Sequence, residues 1–202
     1  MRDASEAGCY FRVVIDLRVR PRVTRFLEPI GRNLSRIGMT ATAMTVLGLV
    51  VVVAGAVLIA TGRLVGGAVV VLLGSILDGL DGAVARASDS VTDRGAFLDA
   101  AFDRLGEIAA FAALAVASAG APRTLLLIVL GLGGAMLVPY MRARAEAAGI
   151  DGRGGMMGRA ERILLFCVGL IVGQVEPMLW IFVVLVWITV VTRFWHTYRS
   201  IP

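Results

Sequence analysis

The chain has 202 residues, of which 58% are hydrophobic and only 17% are charged, and its mean hydropathy is +0.84. Because a soluble domain usually carries about 25% charged residues, this composition favours an integral membrane protein. The net charge is +5, and all 20 lysine and arginine positions are arginines, nearly all of them outside the apolar runs. That placement fits topology signals and anionic membrane lipids better than nucleic acid, so we expect no nucleic-acid partner.

The N-terminal segment, residues 1–41, contains an amphipathic pattern between residues 22 and 37. The pattern predicts an interfacial helix, bent at Pro29, with arginines on its polar face. A soluble helix packed on the rest of the protein is the alternative. The apolar residues at helical spacing are Val23, Phe26, Leu27, Ile30, Leu34 and Ile37.

The remainder of the chain, residues 42–202, contains six apolar runs. Crossing the hydrocarbon core takes about 20 apolar residues as a helix, and most of these runs approach that length. We therefore predict an all-α integral membrane fold, with one domain of six transmembrane helices following the amphipathic helix. The predicted spans are residues 43–61, 64–85, 95–120, 124–141, 163–175 and 178–192.

Arginine-rich and arginine-poor segments alternate between these spans. Eight arginines precede the first span and five separate the fourth from the fifth, whereas the segment between the fifth and sixth has none. Because arginine-rich loops stay on the cytoplasmic side, the pattern predicts a multi-pass protein of the cell membrane. Both termini and the loop between the second and third spans would then be cytoplasmic.

Four aspartates lie near the cytoplasmic ends of the second and third spans, inside otherwise apolar sequence. Asp78 and Asp81 are three residues apart and Asp99 and Asp103 are four apart, so each pair shares a helix face. If the two helices are antiparallel, all four carboxylates converge, and without cations they would repel one another. Hard oxygen ligands suit Mg²⁺ or Mn²⁺, so we predict that the four residues bind two such ions.

Two glycines and an arginine accompany the aspartates. Gly82 and Gly95 leave room for a ligand or a neighbouring backbone, and Arg86 lies within about one helical turn of the cluster, where it can pair with a phosphate oxygen. Metals, a cation and space together suit phosphoryl transfer. One carboxylate would then take the proton of the attacking hydroxyl.

The same residues resemble the signature of the CDP-alcohol phosphotransferase family, and the resemblance extends from about residue 27 to residue 197. It implies that Asp103 both helps to hold a metal ion and acts as the catalytic base. It also implies a CDP-linked lipid donor, usually CDP-diacylglycerol, release of CMP and a homodimer. The matching pattern is Asp78-x₂-Asp81-Gly82-x₂-Ala85-Arg86-x₈-Gly95-x₃-Asp99-x₃-Asp103.

The resemblance also implies where the substrates bind. Residues 140–149 and 159–162 look like the branch of the family formed by phosphatidylinositol phosphate synthases and their archaeal ether-lipid counterparts. In that branch, basic residues matching Arg142 and Arg162 bind the phosphate of the acceptor. The nucleotide end of the donor is implied to lie near Thr40, Ala41, Thr42, Ala43, Gly82, Arg86 and Thr92.

We therefore expect a transferase of phospholipid biosynthesis that moves a phosphatidyl or ether-lipid group to a small phosphorylated alcohol, inositol 1-phosphate. Pro139 and Arg142 depart from the serine and lysine common in that branch, which leaves glycerol 3-phosphate or another polar alcohol open as the acceptor. A carboxylate-based transporter is the alternative of a different class. It would place the aspartates near the bilayer midplane and show inverted repeats, and neither is seen in this sequence.

Overall fold

The structure is a computed structural model that describes Pro29, residues 31–34, Arg36, and residues 38–88, 92–152 and 155–201. Within these ranges the secondary structure is helical and contains no strand, which confirms the predicted all-α class. In chain order the helices are α1 (Ala41–Ala60), α2 (Leu64–Gly79), α3 (Asp81–Ala87), α4 (Asp93–Ala117), α5 (Pro122–Ala147), α6 (Arg159–Ile171) and α7 (Val175–Ser200).

Four helical stretches in the described ranges are long and apolar enough to cross a membrane: α1, α2 continued by α3, α5 and α7. At 1.5 Å per residue, the 20 residues of α1 extend about 30 Å, the thickness of a hydrocarbon core. These stretches agree with a multi-pass membrane protein. The six predicted spans are not all confirmed.

Helices α4 and α6 correspond to the two predicted spans that are not among the four apolar stretches. Helix α6 has 13 residues and is about 20 Å long, which is too short to cross a hydrocarbon core by itself. Helix α4 has 25 residues, but charges occupy its N-terminal part and lower its apolar character. Its crossing of the membrane, and that of α6, stays a prediction. The charged residues of α4 are Asp93, Arg94, Asp99, Asp103, Arg104 and Glu107.

The predicted amphipathic helix lies largely outside the described residues. Pro29, residues 31–34 and Arg36 are helical. This segment lies against α3, because a Cβ added at Gly31 would be 2.7 Å from the carbonyl carbon of Ala83. Its position on the membrane surface stays a prediction.

Close helix packing on both sides of the protein positions the site. Helix α1 packs along α2 and α4, α2 contacts α6, and α5 packs against α7. Glycines allow the α1–α2 approach, since a Cβ added at Gly55 would lie 2.7 Å from the backbone nitrogen of Val71. Phe111 contributes its ring to the core between α4, α6 and α7, with ring centroids 5.0 Å from Phe166 and 5.2 Å from Phe182. The end of α2 and the N-terminal parts of α4 and α6 are joined by contacts of Arg159 with Asp78 and Asp103.

Candidate active site

Three of the four predicted aspartates converge where α2 and α4 meet. One carboxylate oxygen from each of Asp78, Asp99 and Asp103 lies within 4.8 Å of the other two. Asp78 comes from the last turn of α2 and is only 4% exposed, whereas Asp99 and Asp103 lie on successive turns of α4. The carboxylates of the two helices thus converge, and we call these three residues the carboxylate cluster.

Asp81 lies outside the carboxylate cluster, although its charge interacts with those of Asp99 and Asp78. Helix α2 ends at Gly79, and the backbone N–H of Leu80 donates to the carbonyl of Leu77, three residues back, at 3.1 Å. Asp81 then begins α3, and its Oδ2 accepts a hydrogen bond from the Thr45 hydroxyl at 2.7 Å. This hydrogen bond directs the Asp81 carboxylate toward Thr45 of α1, whereas the Asp78 carboxylate belongs to the cluster.

Arg159, at the start of α6, lies among the carboxylates. Its Nη1 is 2.6 Å from Oδ2 of Asp78 and 2.6 Å from Oδ1 of Asp103, while Nη1 of Arg104 is 3.4 Å from the other Asp103 oxygen. Burial alone would lower the pKa of Arg159, but the charges of Asp103 and Asp78 outweigh it and raise that pKa. The guanidinium therefore stays charged, and the cluster is held by a protein cation.

The residues of the cluster fit a divalent metal ion. Apart from Arg159, the buried oxygens Asp78 Oδ2 and Asp103 Oδ1 have no hydrogen-bond partner among the described residues. Carboxylate oxygens are the hard ligands that Mg²⁺ and Mn²⁺ prefer, and buried carboxylates close together require positive charge. Asp78, Asp99 and Asp103 could hold such an ion.

A cleft of about 610 Å³ adjoins the cluster and has the size of a small-molecule site. Asp81 and Asp99 both line it, so the cleft reaches the carboxylates. Gly82 and Arg86 lie side by side in its lining, since a Cβ added at Gly82 would be 3.3 Å from Nη1 of Arg86. Six of the seven residues predicted to bind the nucleotide line this cleft: Thr40, Ala41, Thr42, Gly82, Arg86 and Thr92.

The seventh residue, Ala43, is tied to the same region by a helix cap. Its backbone N–H donates to Oγ1 of Thr40 at 3.1 Å, and Thr92 caps α4 in the same way by accepting from Gly95 at 3.1 Å. Capping satisfies otherwise unpaired N–H groups of a first helical turn. The two threonines therefore fix the helix starts that border the cleft.

The two predicted acceptor-binding arginines have different surroundings. Arg162 is 2% exposed, and its guanidinium donates to both Glu107 oxygens, at 2.5 and 3.0 Å, and to the carbonyl of Met157 at 3.0 Å. Arg142 is exposed and pairs with Glu146 at 2.8 Å. Their binding of an acceptor phosphate stays a prediction.

Three charged residues near the site have no assigned role in the sequence prediction: Glu107, Arg159 and Arg193. Glu107 continues the four-residue spacing of Asp99 and Asp103, which was an available signal. The general excess of arginine in cytoplasmic loops was a sufficient explanation for Arg159 in the sequence, so its place in the site was not indicated. Arg193 donates to the carbonyl of Val138 at 2.8 Å and lies close enough to Arg142 and Arg162 for their charges to interact. It comes from α7, and nothing local in the sequence indicates that proximity.

Comparison with known proteins defines the class. The family model for CDP-alcohol phosphatidyltransferases matches residues 38–195, and the chain belongs to this family. It is 39% identical over 165 residues to the phosphatidylinositol phosphate synthase of Mycobacterium marinum, covering 80% of this chain and 70% of that protein. It is 31% identical over 189 residues to the archaetidylinositol phosphate synthase of Pyrococcus horikoshii, covering 91% of this chain and 97% of that one.

Solved structures agree with this class. The Mycobacterium tuberculosis phosphatidylinositol phosphate synthase with CDP-DAG bound matches with a TM-score of 0.80 and 35% identity, covering 88% of this chain and 96% of that one. The same enzyme in complex with manganese and citrate matches with a TM-score of 0.80 and 34% identity, covering 87% and 90%. The protein is thus a membrane-spanning CDP-alcohol phosphotransferase of phospholipid biosynthesis, similar to phosphatidylinositol phosphate synthases.

Proposed function

We propose that the protein transfers a phosphatidyl group, or its ether-lipid equivalent, from CDP-diacylglycerol or a similar CDP-linked lipid to inositol 1-phosphate and releases CMP. The observation that carries this proposal is the carboxylate cluster beside a cleft that most of the expected nucleotide-binding residues line. The similarity to enzymes named for inositol phosphate products, at 31–39% identity, supports the choice of acceptor.

Two divalent ions, Mg²⁺ or Mn²⁺, are proposed to bind through Asp78, Asp81, Asp99 and Asp103. When bound, such ions neutralise the pyrophosphate and make CMP a better leaving group. Asp99 supports this assignment because it belongs to the carboxylate cluster and also lines the cleft with Asp81. The manganese complex of the Mycobacterium tuberculosis enzyme supports use of a divalent ion.

Asp103 is proposed to act as the base. It takes the proton of the acceptor hydroxyl as that oxygen attacks the β-phosphorus of the donor, and CMP leaves with the electrons of the broken phosphoanhydride bond. The Asp103 side chain is 11% exposed, so bulk water has little access to it. The neighbouring Arg104 lies 3.4 Å from one of its oxygens and helps to hold the carboxylate in place.

The acceptor phosphate is assigned to Arg142 and Arg162, and the nucleotide to the cleft that Thr40, Gly82 and Arg86 line. A phosphorylated acceptor needs fixed cations. Arg142 is the more accessible of the two arginines, whereas Glu107 fixes the plane of the Arg162 guanidinium.

The placement in the cell follows the arginine distribution. We assign residues 42–202 to the catalytic domain and residues 1–41 to a cytoplasmic segment whose amphipathic helix lies on the membrane. Arginine-rich segments flank the site, which supports a cytoplasmic active site and cytoplasmic termini. We propose a homodimer in the cell membrane as the working state.

A second candidate keeps the chemistry and changes the acceptor to glycerol 3-phosphate or another polar alcohol. Pro139, inside α5 and three residues before Arg142, favours this candidate because it offers no hydroxyl to an acceptor. The carboxylate site itself does not distinguish the two candidates.

CMP release by the purified protein with CDP-diacylglycerol and Mg²⁺ tests the proposal. Inositol 1-phosphate, free inositol and glycerol 3-phosphate are offered in separate reactions, each repeated with EDTA. Metal-dependent release with inositol 1-phosphate alone is the expected result. Release only with another acceptor selects the second candidate, and no CMP from folded protein with any acceptor or CDP-linked donor contradicts the transferase assignment and favours the transporter.

A further inference from the structure

Arg159 occupies the place where a metal ion is proposed to bind. A single nitrogen, Nη1, lies 2.6 Å from both Asp78 and Asp103, which belong to different helices. The side chains of these aspartates are only 5% and 11% exposed. Because little water screens these contacts, they are stronger than surface ion pairs. Arg159 thereby joins the ends of α2, α4 and α6.

The charges around Asp78 and Asp103 explain why Arg159 lies between them. Two buried carboxylates this close are unfavourable without a positive charge beside them. Within the described ranges, Arg159 is the cation that bridges both of them, whereas the salt bridge of Arg104 reaches Asp103 alone, at 3.4 Å. Two divalent ions would supply four positive charges to four aspartates, and the cluster would no longer need the guanidinium.

We propose that Arg159 is the counter-cation of the metal-free cluster and that a divalent ion displaces it from Asp78 and Asp103. This inference rests on the proposed metal site. The oxygens that Arg159 contacts have no hydrogen-bond partner besides it among the described residues. The guanidinium and a metal ion therefore compete for the same oxygens, and Arg159 keeps the three helix ends together until the ion arrives.

A permanent structural clamp is the competing role for Arg159. A clamp would stabilise the protein equally with and without metal. A displaced counter-cation stabilises only the metal-free protein and weakens metal binding, because the ion must first remove it. The two roles thus differ in how stability responds to metal.

Thermal unfolding in detergent micelles, followed by tryptophan fluorescence, separates these roles. Wild type and Arg159→Met are compared in EDTA and in saturating Mn²⁺, and the Mn²⁺ affinity of each is measured by electron paramagnetic resonance of the free ion. We expect Arg159→Met to lower Tm by about 4 °C or more in EDTA. We expect that deficit to vanish in Mn²⁺, and the Kd for Mn²⁺ to fall on the order of tenfold.

Arg123→Met is the matched control, since it removes the exposed Arg123–Glu176 pair at 2.9 Å and should have the same small effect in both conditions. A Tm deficit that persists in Mn²⁺, or an unchanged Kd, overturns the displacement. Wild type that binds no Mn²⁺ overturns the metal site as well, so the two failures are distinguishable. Arg159→Gln, which keeps a donor without the charge, gives the same test if the Met variant does not fold.

Discussion

Gly48 of α1 lies directly against the backbone of Asp78 in α2. A Cβ added at Gly48 would be 2.8 Å from the Asp78 Cβ and 3.0 Å from its Cα. Carbon atoms in van der Waals contact are about 3.5–4.0 Å apart, so no side chain fits there without movement of a helix. The missing side chain of Gly48 therefore sets the position of a residue of the carboxylate cluster.

Gly48→Ala is expected to weaken Mn²⁺ binding on the order of tenfold and to destabilise the protein by about 1–3 kcal/mol, through overpacking against Asp78. Helix propensity alone would favour alanine by about 1 kcal/mol, so a loss of stability identifies the clash. Mn²⁺ titration and thermal unfolding measure the two effects. Gly66→Ala in α2 is the control, because a Cβ there has no described atom within 4 Å. Equal behaviour of the two variants would contradict the positioning role.

Glu107→Leu is expected to destabilise the protein by about 3–5 kcal/mol, because it leaves the buried Arg162 without its carboxylate. Thermal unfolding checks this. The double variant Glu107→Leu with Arg162→Met should recover part of the loss, since it removes the stranded charge. If the double variant were as unstable as the sum of the single ones, the two side chains would not be coupled.

Arg142→Met is expected to raise the KM for inositol 1-phosphate about tenfold while leaving Tm nearly unchanged. The exposed pair with Glu146 contributes little to stability, whereas a cation opposite an acceptor phosphate contributes directly to binding. Steady-state CMP release and thermal unfolding measure these effects. Arg144→Met, two residues away on the same exposed part of α5, is the control. An unchanged KM would remove Arg142 from the acceptor site.

The helices and the aspartates of α4 could be predicted because their signals are local. Apolar runs mark the helices, and the spacing of Asp99 and Asp103 places both on one face. The interruption at Leu80 was not predicted, although Gly79 and Gly82 flank it. The hydrogen bond between Asp81 and Thr45 was not predicted either, and three of the four aspartates form the carboxylate cluster.

Contacts between distant parts of the chain explain what the sequence did not predict. Arg159 meets Asp78 only because α6 packs on α2, and no local pattern encodes that contact. Two charged residues of α4, Asp99 and Asp103, belong to the cluster. The charges of α4 also lower the apolar character of that helix, so the predicted third span is not among the stretches apolar enough to cross a membrane.

The central claim is that the carboxylate cluster performs the transfer with Asp103 as the base, and CMP release by Asp103→Asn tests it most directly. The assay is run at saturating Mn²⁺, with Mn²⁺ binding measured on the same samples and with Asp93→Asn, in the first turn of α4, as the control. We predict that Asp103→Asn binds Mn²⁺ more weakly, since one carboxylate ligand is lost, but is still loaded at saturating Mn²⁺ and loses about 10²–10⁴ of the turnover. Asp93→Asn should behave like wild type. Near wild-type turnover by metal-loaded Asp103→Asn would contradict the claim.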